Sequence, residues 1–431
     1  MSEACSSAFV RGRTVAEWGS DPNSGLDARA CQQGFLGSDP NSARGVRAGQ
    51  PSITDLGSDP NNPDPYSAGR IDTTASCSDL WHRIHSTGIS TLAVMGMTKN
   101  TGKTVALNHL LVQAAAAQVA VGVTSIGRDG EERDQVFMIP KPPVLVWPGT
   151  LVATARTTLT RAKVRCKVID STGINSPMGE VLVVKALDYG EMEIAGASRG
   201  TDQRKVINRL HQCGAALVLL DGALGRSHHA SPAMADGVIL ATGAAIGGGI
   251  ADVIRKTRDR LAILGLAQVD EVTRNLCESL FANGGVAVWN SRGELLLQAE
   301  IATLNAAAAL LQHIDADLTT IALSGAVGCA LWQALSTLAA RHPGLTVVVA
   351  DGTRLFIENS DLVAFRKLGA RLLAMRGINI AGITLNPFSP MGGSFVAVDF
   401  LTAARAAFVG YSVSDVILEE AKKLAGQTAA A

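Results

Sequence analysis

Nine residues about a quarter of the way along the chain carry the strongest chemical signal: Gly96-Met-Thr-Lys-Asn-Thr-Gly102-Lys103-Thr104. The two glycines admit backbone conformations closed to other residues and let N–H groups turn inward. An apolar run, Thr91–Met95, precedes the loop, and a segment rich in Ala and Leu follows it. Strand, glycine loop and helix start make a cradle of N–H donors at the positive end of a helix, which suits polyphosphate oxygens. In that chemistry Lys103 neutralises the β- and γ-phosphates and the Thr104 hydroxyl ligates Mg²⁺. Asn100 and Thr101 line the loop with Gly96 and Gly102. Lys99 is read two ways, as a phosphate contact or as a solvated side chain.

Mg²⁺ is a hard ion held by few protein oxygens, commonly with an Asp at the end of a buried strand. Two residues compete for that place. Asp221 ends the apolar run Ala215–Leu220 and precedes Gly222. Asp170 follows Val164–Ile169 and opens Asp170-Ser-Thr-Gly173, but its strand carries Arg165 and Lys167. Asp221 is the better fit. Each reading stands against a turn-forming Asp at a strand end.

Three further loops fall after expected strands. Gly127–Asp134 (GRDGEERD) offers Asp129, Glu132 and Asp134 for a second Mg²⁺ contact or for positioning an attacking water, against a plain solvated loop. The segment from Asp221 to His229 offers Arg226 for developing phosphate charge, and His228 and His229 as acid or base groups. Thr242–Gly249 (TGAAIGGG) permits either close approach of a ligand or tight packing.

The five-residue spacing G-x5-G-K-T resembles the dethiobiotin-synthetase-like branch of P-loop NTPases, within the deviant Walker A group. That resemblance is specific at the loop and architectural over residues 90–270. It implies ATP and Mg²⁺ as ligands, and Pro140-Lys141-Pro-Pro143 resembles the Lys-Pro of that branch. The combination GMTKNTGKT, SIGRDGE and DGALGR is also similar to reactivase subunits of cobalamin-dependent lysine 5,6-aminomutases. The expected function is therefore a Mg-ATP-binding protein, with ATPase or phosphoryl-transfer activity, acting on or with a metabolic enzyme. The alternatives are an ATP-dependent ligase acting on a small carboxylate and a nucleotide-sensing scaffold with little hydrolysis. The absence of Asn-Lys-x-Asp favours ATP over GTP.

The elements that must position these residues alternate between β-like and α-like. Helices are expected at Thr104–Gln118, Thr201–Gln212, Ala330–Ala340, Leu362–Met375 and Phe400–Phe408. Strands are expected at Val119–Ser125, Ala215–Leu220, Val238–Ala241, Thr320–Ser324, Leu345–Ala350 and Ile380–Leu385. Hairpins are read at Val181–Lys185 with Glu191–Ala195, and around Ser291-Arg-Gly293. The pattern predicts an α/β protein, a doubly wound and mainly parallel sheet with a second α/β block after it. The expected units are 1–86, a disordered extension holding three copies of GSDPN, then 87–275 and 276–431.

Composition bounds the rest. The 431 residues hold 38 basic and 38 acidic side chains, so no net field draws nucleic acid. Aromatics make up only 4%, which suits helices packed on a parallel sheet. The seven Cys never fall as CxxC, so neither a zinc site nor a disulfide framework is expected. No signal or membrane segment is read, which points to the cytoplasm. Oligomeric state, including a homodimer, stays open.

Overall fold

The computed structural model describes residues 80–126, 128–129, 143–222 and 231–421, with only the backbone of 128–129. After the short helix α1 (Leu80–Ser86), strand β1 (Thr91–Gly96) leads through the glycine loop into α2 (Lys103–Ala116) and β2 (Val121–Ser125). Strands β3 (Arg128–Asp129), β4 (Val144–Val146), β5 (Leu151–Ala155), β6 (Cys166–Ser176) and β7 (Gly179–Ala186) follow. Next come β8 (Gly190–Met192), β9 (Ile194–Ala195), α3 (Gly200–Gln212), β10 (Leu217–Asp221), β11 (Gly237–Gly243) and α4 (Ile250–Leu264). A second run contains α5 (Glu271–Asn283), β12 (Val286–Trp289), β13 (Leu295–Ala299), α6 (Ala307–Leu311), β14 (Thr320–Leu323) and α7 (Cys329–Arg341). It continues with β15 (Thr346–Val349), α8 (Asn359–Lys367) and β16 (Arg371–Ala374). The described chain closes with β17 (Ile380–Asn386), α9 (Ala397–Ala407), β18 (Val413–Ser414) and a further helical turn.

The protein is mixed α/β with a large, mainly parallel sheet. Nine strands run in the order β18-β17-β11-β1-β10-β2-β5-β7-β6. The first seven are mutually parallel, and β7 and β6 are antiparallel additions at one edge. A parallel sheet covered on both faces requires strands that are apolar throughout rather than alternating. β1, β10 and β11 meet that requirement: Leu92 and Val94 pack on the face that holds α1 and α2, while Ala93 and Met95 pack on the face of α3, α4 and α9. The chain leaves β1 toward β2 and leaves β11 toward β17. Their carboxyl ends therefore flank a switch point, where open α/β sheets take ligands.

The second sheet has the order β13-β12-β14-β15-β16. β12 is antiparallel to both neighbours, and β14, β15 and β16 are parallel. α5 packs on one face, α7 and α8 on the other.

Several sequence expectations need correction. Residues 276–431 do not form one block: β17 pairs with β11 and β18 with β17, so the end of the chain returns to the first sheet. The expected boundary at 275/276 falls inside α5. Within 1–86, residues 80–86 are helical, with Leu80, Trp81 and Ile84 buried; the rest of that segment lies outside the described residues. The expected hairpin of 181–185 with 191–195 is absent, because β7 pairs with β5 and β6 instead. The helix expected over 362–375 ends at Lys367. Gly369 takes φ +82°, which breaks the helix, and the buried Leu372 and Ala374 then lie on strand β16.

Candidate functional site

The loop between β1 and α2 folds back over its own first glycine. A Cβ at Gly96 would sit 2.6 Å from Thr101 Oγ1 and 2.9 Å from Lys103 Nζ. No side chain fits there, which is a physical reason for glycine at 96. Asn100 takes φ +60° and Gly102 φ +86°, so two left-handed residues turn the chain into the helix. Thr101 is 1% exposed, and its hydroxyl donates to Thr98 O at 2.9 Å. Lys103 is half-buried and its Nζ donates to the same carbonyl at 3.4 Å. The lysine thus lies across the loop, over Gly96, rather than out in solvent.

α2 begins at Lys103, and no side chain caps its amino end. The first N–H groups of a helix have no intrahelical acceptor, so this end presents donors and positive dipole to the loop. Thr104 is buried in the first turn. Met97 N donates to Ala241 O at 2.9 Å and ties the loop to β11. Lys99 is half-buried in the loop.

Asp221 ends β10, the strand directly beside β1, and is 3% exposed. It stands in register with Val94 on one side and Ser125 on the other. Gly222 then passes so close to β1 that its N–H donates to Val94 O at 3.1 Å, and a Cβ there would meet the same oxygen at 2.8 Å. Asp221 and the glycine loop therefore share one edge of the sheet.

The structure separates Asp170 from this group. Asp170 lies on β6, the outermost strand, five strands from β1, or roughly 24 Å at the usual spacing. Its carboxylate pairs with Arg209 of α3 at 2.8 Å. Asp170 thus lies on an antiparallel edge strand away from the glycine loop, which corrects its expected place as a metal ligand beside Thr104.

Other predicted residues stand as follows. Asp129 is on β3, whose backbone pairs with β9; its side chain lies outside the described residues. Glu132, Asp134, Lys141, Arg226, His228 and His229 lie outside the described residues altogether. The Thr242–Gly249 segment ends β11 and runs on past its carboxyl end. Gly247 and Gly248 take φ +80° and +85°, and added Cβ atoms at Gly247 and Gly249 would meet nothing. Those two glycines are not there for tight packing. The Thr242 hydroxyl is turned inward, 2.6 Å from the Thr257 hydroxyl.

Asn386 escaped the sequence reading. It ends β17, and its Nδ2 donates to Asn100 O at 2.8 Å. Its Oδ1 accepts from Phe388 N at 3.2 Å. A Cβ at Gly102 would lie 3.0 Å from Asn386 Cβ. A residue from the far end of the chain thus braces the phosphate-loop candidate. The only local signal was an Asn-Pro pair after an apolar run, which reads equally as a turn.

Among the described residues no cluster of three or more His, Cys, Asp or Glu could hold a metal ion. No described helix is long and apolar enough to cross a membrane. The four described cysteines, 166, 213, 277 and 329, are free. The class defined is a mixed α/β protein whose mainly parallel sheet carries a Gly-Lys-Thr loop at the carboxyl end of a central strand. Comparison with protein-family models, curated proteins and solved structures finds no match to this chain.

Proposed function

We propose that the protein binds Mg-ATP through residues 96–104 and hydrolyses it, or transfers its terminal phosphoryl group, in the service of a partner metabolic enzyme. The observation that carries this reading is the fold of Lys103 back across Gly96 at the amino end of α2. An ammonium held over inward-turned glycine backbone, at an end of a helix that no side chain caps, is arranged for a polyphosphate. Asn100, Thr101 and Gly102 shape the cradle, and Lys103 moves from Thr98 O to the phosphate oxygens.

The donors present suit Mg²⁺. Thr104 and Asp221 offer a hydroxyl and a carboxylate, both hard oxygens, both buried at the same sheet edge. Mg²⁺ is typically held by one or two such groups plus phosphate oxygens, so a cage of acidic residues is not needed. When bound it would neutralise phosphate charge. ATP rather than GTP, and a reactivase-like role beside a partner enzyme, rest on the sequence resemblance.

Lys103→Ala tests the reading. Wild-type protein is expected to bind ATP and show Mg²⁺-dependent phosphate release that the variant lacks. ATP binding without turnover selects the nucleotide-sensing scaffold. Turnover only when a small carboxylate is added selects the ligase. Failure of the wild type to bind either ATP or GTP refutes the nucleotide reading.

A further inference from the structure

The outer edge of the first sheet carries a cleft of about 350 Å³, lined by Thr172 and Ile174 of β6 and by Lys205, Asn208, Arg209 and Gln212 of α3. That size falls within the range of small-molecule sites. A break in strand pairing shapes one wall. Ser171 stands opposite Leu182 and Asn175 opposite Glu180, so three residues of β6 face the single Val181 of β7. The bulge turns at Gly173, φ +68°, where an added Cβ would meet nothing, so the glycine serves backbone conformation and not packing. The bulge is stitched from within: Thr172 Oγ1 donates to Val181 O at 2.6 Å and accepts from Ile174 N at 3.1 Å. Bulges re-aim side chains and are over-represented beside functional sites.

α3 supplies the other wall. Its four lining residues fall at i, i+3, i+4 and i+7, a single stripe along the helix. Val206, Ile207 and Leu210, on the opposite stripe, are buried against the sheet. Lys205 Nζ donates to Asp202 Oδ1 at 3.1 Å. Arg209 meets Asp170 through Nε at 2.8 Å and donates from Nη1 to Gln212 Oε1 at 3.2 Å. The Asn208 amide and Gln212 Nε2 then have no partner among the described residues. With the Thr172 hydroxyl and Gln212 Oε1 already engaged, the cleft offers more donors than acceptors, so a fitting ligand brings acceptor oxygens. Asp170 and Asp202 each balance one of the two cations, which suits a singly charged carboxylate better than a doubly charged phosphate. Ile174 and the methylene stems of Lys205 and Arg209 provide apolar surface for a hydrocarbon body.

We propose that the cleft between β6 and α3 binds a small monocarboxylate with a short hydrocarbon body, its oxygens held by Lys205, Asn208 and Arg209. The cleft lies at the opposite side of β2 from the glycine loop and does not depend on the nucleotide reading.

Saturation-transfer NMR titration of the full chain tests the site, with hexanoate as probe and the neutral isostere hexanamide as control. Saturable binding of hexanoate is expected, equal in wild type and Lys103→Ala, with hexanamide at least tenfold weaker. Asn208→Ala and Lys205→Gln are each expected to weaken hexanoate at least threefold. Both sites are exposed on a helix, and alanine is the better helix former at 208, so circular dichroism should match wild type. Absence of saturable hexanoate binding to the wild type overturns the proposal. So does hexanamide binding as tightly as hexanoate, undiminished affinity in both cleft variants, or loss of binding in Lys103→Ala, which would place the carboxylate at the glycine loop.

Discussion

Gly96→Ala probes the 96–104 loop without removing a charged group. The new Cβ would stand 2.6 Å from Thr101 Oγ1, 2.9 Å from Lys103 Nζ and 3.0 Å from Lys103 Cδ. Comfortable contacts lie near roughly 3.5 Å, so the overlap with the threonine is about 0.9 Å. The lysine end can swing aside. Thr101 cannot, since it is 1% exposed and its hydroxyl is bonded to Thr98 O at 2.9 Å. Overpacking of this kind costs about 1–3 kcal/mol, and a buried hydroxyl forced off its acceptor costs about 1–3 kcal/mol. The two terms describe one movement, so the expected loss is about 2–4 kcal/mol rather than their full sum. Lys103 is displaced from its place over residue 96, and ATP affinity should fall about tenfold or more, equivalent to about 1.4 kcal/mol. Thr101→Ala removes the oxygen that collides. In that background the alanine at 96 should cost about 1–2 kcal/mol less, a coupling within the range for residues in contact. Urea midpoints of the four proteins, with ATP titrations on each, read both quantities. A cycle additive to about 0.5 kcal/mol, or wild-type ATP affinity in Gly96→Ala, would refute this loop geometry.

Four other outcomes follow from the same geometry. Asn386→Ala removes the donor to Asn100 O and the acceptor for Phe388 N, so it should lower stability by about 1–3 kcal/mol and weaken ATP binding, read by the same two assays. Asp170→Asn should change stability by no more than about 1 kcal/mol, since its ion pair with Arg209 is partly exposed, and should leave Mg²⁺-dependent turnover unchanged, whereas Asp221→Asn should abolish that turnover. Ile84→Ala, at a side chain 1% exposed in α1, should cost about 2–5 kcal/mol by thermal or urea unfolding, and a chain beginning at residue 88 should melt below one beginning at residue 79. Burial pushes the Cys277 thiol up to about 11, so it stays protonated and unreactive at pH 8 and gains thiolate only as pH nears that value; iodoacetamide with peptide mass mapping should modify exposed Cys329 before Cys277.

The parts of the fold that were legible in the sequence are those where a local pattern has a single physical solution. The runs at Leu92–Met95, Ala215–Leu220 and Val238–Ala241 are apolar at every position, which suits a strand covered on both faces. All three became central parallel strands, with Asp221 at the end of one. Glycines 96 and 102 were legible for the same reason, since strand, loop and helix meet there within a few residues. Legibility failed where the deciding partner is distant. Val164–Ile169 has strand character whichever edge it occupies, and nothing near Asp170 says that β7 will hold it at the rim by antiparallel pairing. The stretch after Lys367 reads as helix on composition, and a positive φ at Gly369 redirects it into the second sheet.

Asn386 shows how far such distance reaches. Its partner, Asn100, is 286 positions earlier, and the intervening chain builds an entire five-stranded sheet before β17 returns to lie beside β11. The second sheet is therefore an insertion between α4 and β17, and the first sheet is complete only once the last strands are placed. Gly243 lies so close to Asn386 that a Cβ there would collide with the Asn386 carbonyl, and Gly102 lies against the Asn386 side chain. The loop's two left-handed turns at Asn100 and Gly102 are thus held from outside by a strand reached only through the inserted block. A truncated chain ending near residue 275 would keep Lys103, Thr104 and Asp221 in sequence while losing the brace that shapes their loop. Nucleotide binding should accordingly be a property of the whole chain, and a 79–275 fragment that bound ATP with wild-type affinity would show the brace to be dispensable.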